Sequence, residues 1–129
     1  MSVGMLFNPI REVWKRGINL ATGVPDAGPS RAARMIAGGA AILDVRDAPE
    51  WARGVIPGSI LIPLAELQDR WEEIRSLKTR PLLVVCHGGK RSATACRILR
   101  RLGFIGPVNL AGGVLAWSRA GLPLEAPST

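Results

Sequence analysis

The stretch Leu82-Leu83-Val84-Val85-Cys86-His87-Gly88-Gly89-Lys90-Arg91-Ser92 decides the fold. Its first five residues are too apolar for a strand with one wet face, so Leu82 to Cys86 predicts a strand buried on both sides. Beyond Ser92, the residues Ala95, Ile98, Leu99 and Leu102 recur at i, i+3, i+4 and i+7, and Gly103 follows. That periodicity predicts an amphipathic helix with a glycine stop.

Working outward, strand and helix signals alternate. Ala41 to Val45 (AILDV) reads as a second buried strand, and Ser30 as the cap of a short helix stopping at Gly38 and Gly39. Leu64, Leu67, Trp71, Ile74 and Leu77 recur at helical spacing with charges between them. Val108 to Leu110 predicts a last strand, leading through Gly112 and Gly113 to a helix bearing Leu115 and Trp117. The alternation predicts a single α/β domain, a parallel sheet with helices on both faces, whose ligands bind beyond the carboxyl ends of the strands. Gly23, Pro25, Gly28 and Pro29 mark a loop ahead of it. Asn8 and Pro9 open a short helix to Arg16, with Ile10, Val13 and Trp14 on one face. Residues 1–24 therefore read as an appendage packed on the domain or on a second copy, and residues 28–127 as the domain.

The 129 residues suffice for one core, and 47% apolar against 21% charged is a globular balance. No run approaches the roughly 18 apolar residues of a membrane span, and no export signal opens the chain, so the expectation is a soluble, cytoplasmic protein with no membrane span. Cys86 and Cys96 are too few for a disulfide framework, and His87, the only histidine, leaves no zinc ligand set. Met1 to Ile74 holds 8 basic and 9 acidic residues; Arg75 to Thr129 holds 9 basic and 1 acidic. The second half attracts anions. Nucleic acid is the weaker reading, because Tyr is absent and Phe occurs twice, leaving few rings for stacking. Arg97, Arg100 and Arg101 favour the end of their helix and read as a solvated face suited to an acidic partner protein. Oligomeric state is not legible.

Cys86 falls where the buried strand meets the mouth of the next helix. Unpaired N–H groups and the positive end of the helix dipole converge there, and both favour thiolate over thiol. Gly88 and Gly89 let the backbone curl into a nest of inward amides, while Lys90 and Arg91 add positive charge. A core cysteine that merely ends a strand needs neither the glycine pair nor the two cations. His87 reads as a rim residue rather than a general base, and Cys96 as a packed residue on the helix flank.

Three ordered motifs make the chain resemble the rhodanese-like sulfurtransferases over about Ser30 to Pro123. They are Ile42-Leu43-Asp44-Val45-Arg46 with Glu50-Trp51 and Gly54 to Ser59; Val84-Val85-Cys86 through Ser92; and Leu110-Ala111-Gly112-Gly113 with Trp117 and Gly121-Leu122-Pro123. Val55 stands where many members carry His, and Trp51 where Tyr or Phe is common. The resemblance implies a sulfurtransferase working by double displacement. Cys86 takes the sulfane sulfur of a small anionic donor such as thiosulfate as a persulfide, and a thiol or cyanide acceptor removes it. His87, Gly88, Gly89, Lys90, Arg91 and Ser92 bind the donor, Asp44 and Arg46 lie beneath the loop, and no metal or organic cofactor is required. Asp44 and Arg46 also read as structural residues, for instance through an Arg46–Glu50 ion pair. Two rivals are a phosphatase or arsenate-type oxyanion enzyme and a non-catalytic binding module. Phosphatases place Arg six positions after Cys, whereas Arg91 is five after Cys86, and a binding module usually lacks the cysteine.

Overall fold

The computed structural model describes residues 18–19 and 22–128; the expected Pro9–Arg16 helix and Trp14 lie outside them. The strands in chain order are β1 (Ile18–Asn19), β2 (Val24–Ala27), β3 (Ala41–Asp44), β4 (Ile60–Leu61), β5 (Leu82–Val85) and β6 (Pro107–Leu110). The α-helices are α1 (Pro29–Ala37), α2 (Ala48–Trp51), α3 (Leu67–Arg70), α4 (Lys90–Arg101) and α5 (Gly113–Arg119). Among the described residues one six-stranded sheet runs β1-β2-β6-β5-β3-β4, with only the β1–β2 pair antiparallel.

All four residues of β5 are fully buried, as its continuous apolar run requires. Leu82, Val84 and Cys86 join the core under α3 and α4, with Leu67, Cys96 and Leu99. Leu83 and Val85 join the opposite core with Ala32 of α1 and Val114 and Trp117 of α5. The sheet is thus covered on both faces.

Three local expectations are corrected, and one helix is added to them. Val24–Ala27, read as loop on the strength of Gly23 and Pro25, is a strand paired in parallel with β6, so the sheet begins before residue 28. Proline is tolerated there because β2 is flanked on one side only by the two residues of β1. Gly28, not Ser30, caps α1; Pro29 occupies the first turn, and the Ser30 hydroxyl accepts a hydrogen bond from Arg34 instead. The segment from Leu64 to Leu77 is not one helix: 3₁₀ turns at Leu64–Glu66 and Trp71–Leu77 flank α3. Its apolar residues are spaced mostly by three, which matches a 3₁₀ turn better than 3.6, and Leu67, Ile74 and Leu77 still face inward. Finally, the short helix α2 carries no apolar stripe and was not foreseen. Pro49 lies in its first turn, and the Glu50 carboxylate accepts the Asp47 N–H.

Candidate active site

Cys86 directly follows β5 and is 1% exposed. Gly89, the residue before α4, adopts φ +105, a conformation that favours glycine, and this turns its N–H back onto Cys86 Sγ at 3.0 Å. Such a bond strengthens as negative charge develops on the sulfur. Ser92, in the first turn of α4 and fully buried, brings its hydroxyl oxygen to 3.2 Å from the same Sγ.

The loop is fastened from α5. Val114 N–H donates to the Cys86 carbonyl at 2.8 Å and Leu115 N–H to the His87 carbonyl at 3.1 Å. Those are otherwise orphan donors of a helix N-terminus. Gly113, at φ +62, allows the approach; a Cβ there would lie 2.2 Å from the His87 carbonyl oxygen. This close packing explains the glycine pair after Leu110, to which the sequence alone assigned no physical task.

Arg91, expected to hold a substrate anion, is engaged elsewhere. Its two terminal nitrogens each lie 2.7 Å from an oxygen of Glu50, with Asp47 at 4.0 Å. The guanidinium holds the Glu50 carboxyl well below its usual range, at about 2, and Glu50 in turn raises Arg91. The fork-to-fork geometry leaves Arg91 bracing the loop against α2. Lys90 is exposed and forms no ion pair among the described residues.

The expected Arg46–Glu50 ion pair is replaced by one with Asp44: Arg46 Nη2 lies 2.7 Å from Asp44 Oδ2, with both side chains buried. Arg46 also donates to the Gly54 and Glu50 carbonyls, and Trp51 Nε1–H donates to Asp44 at 3.2 Å. These bonds fold the segment from Asp44 to Gly54 on itself. Arg46 and Glu50 then line a cavity of about 380 Å³ with Arg53, Leu115, Ser118 and the exposed His87, next in sequence to the sulfur.

Cys96 is fully buried, and burial pushes its thiol up; both cysteines are free. Arg97, on the basic face of α4, donates to the Thr22 carbonyl at 2.7 Å. Two residues near the sulfur were missed by sequence reasoning. Asn109, 2% exposed, accepts a short hydrogen bond from Ser92 and donates to Asp26 Oδ1 at 3.1 Å. The one available signal was an amide in the middle of the buried strand Val108-Asn109-Leu110.

Residues 29–120 match the family described as the rhodanese-like domain. The chain belongs to that family. Among similar proteins, a sulfurtransferase of Allochromatium vinosum is 38% identical over 86 residues, covering 67% of this chain and 78% of that one. The human thiosulfate:glutathione sulfurtransferase is 32% identical over 101 residues, covering 69% and 88%. A solved structure from Rhodopseudomonas palustris, of a protein of unknown function described as a possible tyrosine phosphatase, superposes with a TM-score of 0.73 at 25% identity, covering 94% and 97%. The motifs of this rhodanese-like domain converge on one loop: the second supplies Cys86, the first supplies Glu50 to brace Arg91, and the third supplies the α5 amides. Among the described residues no helix is long and apolar enough to cross a membrane, and no group of three or more His, Cys, Asp or Glu side chains could hold a metal.

Proposed function

We propose that this rhodanese-like protein is a sulfurtransferase that moves a sulfane sulfur from thiosulfate or a related anionic donor to a thiol or cyanide through a persulfide on Cys86. The observation that carries the reading is the Gly89 N–H donated to Cys86 Sγ at 3.0 Å, at the mouth of α4. The Cys86 thiolate attacks the outer sulfur of thiosulfate; a new S–S bond forms, the old one breaks, and sulfite leaves with the electron pair. An acceptor thiolate or cyanide then attacks the outer persulfide sulfur, and the Cys86 sulfur departs as thiolate. Lys90, which forms no ion pair among the described residues, attracts the anionic donor, and the loop amides of His87, Gly88 and Gly89 receive the departing sulfite. Similarity to a thiosulfate:glutathione sulfurtransferase supports a low-molecular-weight thiol as acceptor. A free catalytic thiol suits a reducing cytoplasm.

The Rhodopseudomonas likeness favours a second reading, phosphate-ester hydrolysis. Against it stands Arg91: it is one position closer to the cysteine than in phosphatases, and Glu50 occupies its guanidinium. The intact mass after incubation with thiosulfate tests the proposal. One added sulfur, removed by cyanide, is expected; no adduct together with hydrolysis of an aryl phosphate that Cys86→Ser abolishes would overturn it.

A further inference from the structure

Ser92, Asn109 and Asp26 form a polar line behind the sulfur, running from the first turn of α4 across β6 to β2. The donor and acceptor inventory fixes its direction. A carboxylate only accepts, so the Asn109 group facing Asp26 Oδ1 at 3.1 Å is its NH₂. The Asn109 carbonyl oxygen therefore faces Ser92 and takes the one hydrogen of that hydroxyl. Ser92 is then left with a lone pair toward Cys86 Sγ at 3.2 Å, and the resting thiol must be the donor in that contact. Ser92 and Asn109 are nearly inaccessible to water, at 0% and 2% exposure, so solvent supplies neither with an alternative hydrogen.

We propose that Asp26 and Asn109 are positioning residues that hold the Ser92 hydroxyl hydrogen away from Cys86, so that Asn109 and the thiolate compete for that single hydrogen. When Cys86 releases its proton to a solvent base, Ser92 swings its hydroxyl from Asn109 Oδ1 to Sγ, and the buried Asn109 carbonyl loses its donor. That loss opposes the thiolate. The Gly89 N–H acts in the opposite sense on the sulfur, as does Arg91, whose charge is countered by its pairing with Glu50; Asp26 stands behind Asn109, and the Asp44–Arg46 pair of the β3 end is internally neutral. The line is therefore a restraint on the nucleophile built from residues that never touch the donor.

The inference rests on Cys86 being the nucleophile, and alkylation by iodoacetamide tests it without any sulfur transfer. Labelling is followed at one neutral pH by peptide mass spectrometry, with buried Cys96 as an internal monitor of core opening. Asn109→Leu should label Cys86 about threefold to tenfold faster than the parent, the scale of one net hydrogen bond. Cys96 should stay unlabelled. Because Asn109→Leu retains the Asp26 charge, faster labelling does not follow from a simple loss of repulsion. In Ser92→Ala/Asn109→Leu the gain should vanish, leaving the rate of Ser92→Ala alone. Asp26→Leu, at a half-buried site, gives a second route: Asn109 can turn its NH₂ toward Ser92, freeing the hydroxyl for Sγ. An unchanged or slower Cys86 rate in either folded single variant, or a gain that survives Ser92→Ala, overturns the inference. Persistence of sulfur transfer in Cys86→Ser would instead overturn the proposed function and leave the labelling result to stand or fall separately.

Discussion

Arg91 and Glu50, 41 positions apart in sequence, meet through two parallel N–H···O contacts of 2.7 Å that tie the sulfur-bearing loop to α2. The Glu50 carboxyl lies at about 2 when folded against 4.5 without the pairing. A depressed carboxyl contributes stability above its unfolded value and loses that contribution as pH falls toward its folded one. Glu50→Gln should therefore destabilise the protein at pH 7 by about 1 kcal/mol, a figure reduced from the full shift because both side chains are partly exposed. Denaturant unfolding should show the gap between parent and variant narrowing from pH 4.5 down toward pH 2. A gap independent of pH would remove the ion pair as its cause.

The two cysteines separate cleanly by environment. Cys86→Ser should abolish cyanide-dependent thiocyanate formation from thiosulfate, whereas Cys96→Ser should retain most of it, since Cys96 is packed with Leu99 and its thiol is pushed up by burial. Equal losses would displace Cys86 from its role.

Lys90 and Arg91 should diverge although they are adjacent. Lys90→Gln should raise the KM for thiosulfate about threefold to fivefold with kcat little changed, and should weaken its salt dependence, because a screened attraction is what is lost. Arg91→Gln should lower the melting temperature together with activity, since it releases Glu50. A variant at Arg91 that raised KM alone would return the guanidinium to the donor.

Gly113→Ala tests the fastening by α5. The added Cβ would meet the His87 carbonyl oxygen at 2.2 Å at a residue held at φ +62. A loss of about 2–4 kcal/mol in unfolding free energy is expected, with sulfur transfer falling further than the unfolded fraction explains. Gly121→Ala, also at positive φ but with open space around it, should cost about 1 kcal/mol or less and spare activity.

What was legible in the sequence was local. Leu82 to Ser92 announces a buried strand, a glycine turn and a helix within one stretch, because the strand's burial and the helix periodicity are both written in adjacent residues. Asp26 and Asn109 could not be found that way: they are 83 positions apart, and each reads as an ordinary polar residue until β2 and β6 are paired. The same pairing explains the missed strand at Val24–Ala27, whose proline and neighbouring glycines obscure a strand that only a neighbour stabilises. Arg91 presents the opposite case. Its position beside the cysteine suggested a substrate contact, and nothing local revealed that α2 would deliver Glu50 to it.

The amides that secure the Cys86 and His87 carbonyls belong to Val114 and Leu115, translated well after the cysteine itself. A growing chain thus completes the stretch that bears Cys86 before it owns the clamp that fastens the loop, and the proposed sulfur loading is expected to wait for synthesis to reach α5. Ribosome-bound chains cut at Ala111 and joined to a linker long enough to carry Cys86 clear of the exit tunnel should fail to acquire sulfur from thiosulfate, while chains that run past Arg119 into the same linker should load it. Premature loading at Ala111 would show that the loop shapes itself unaided.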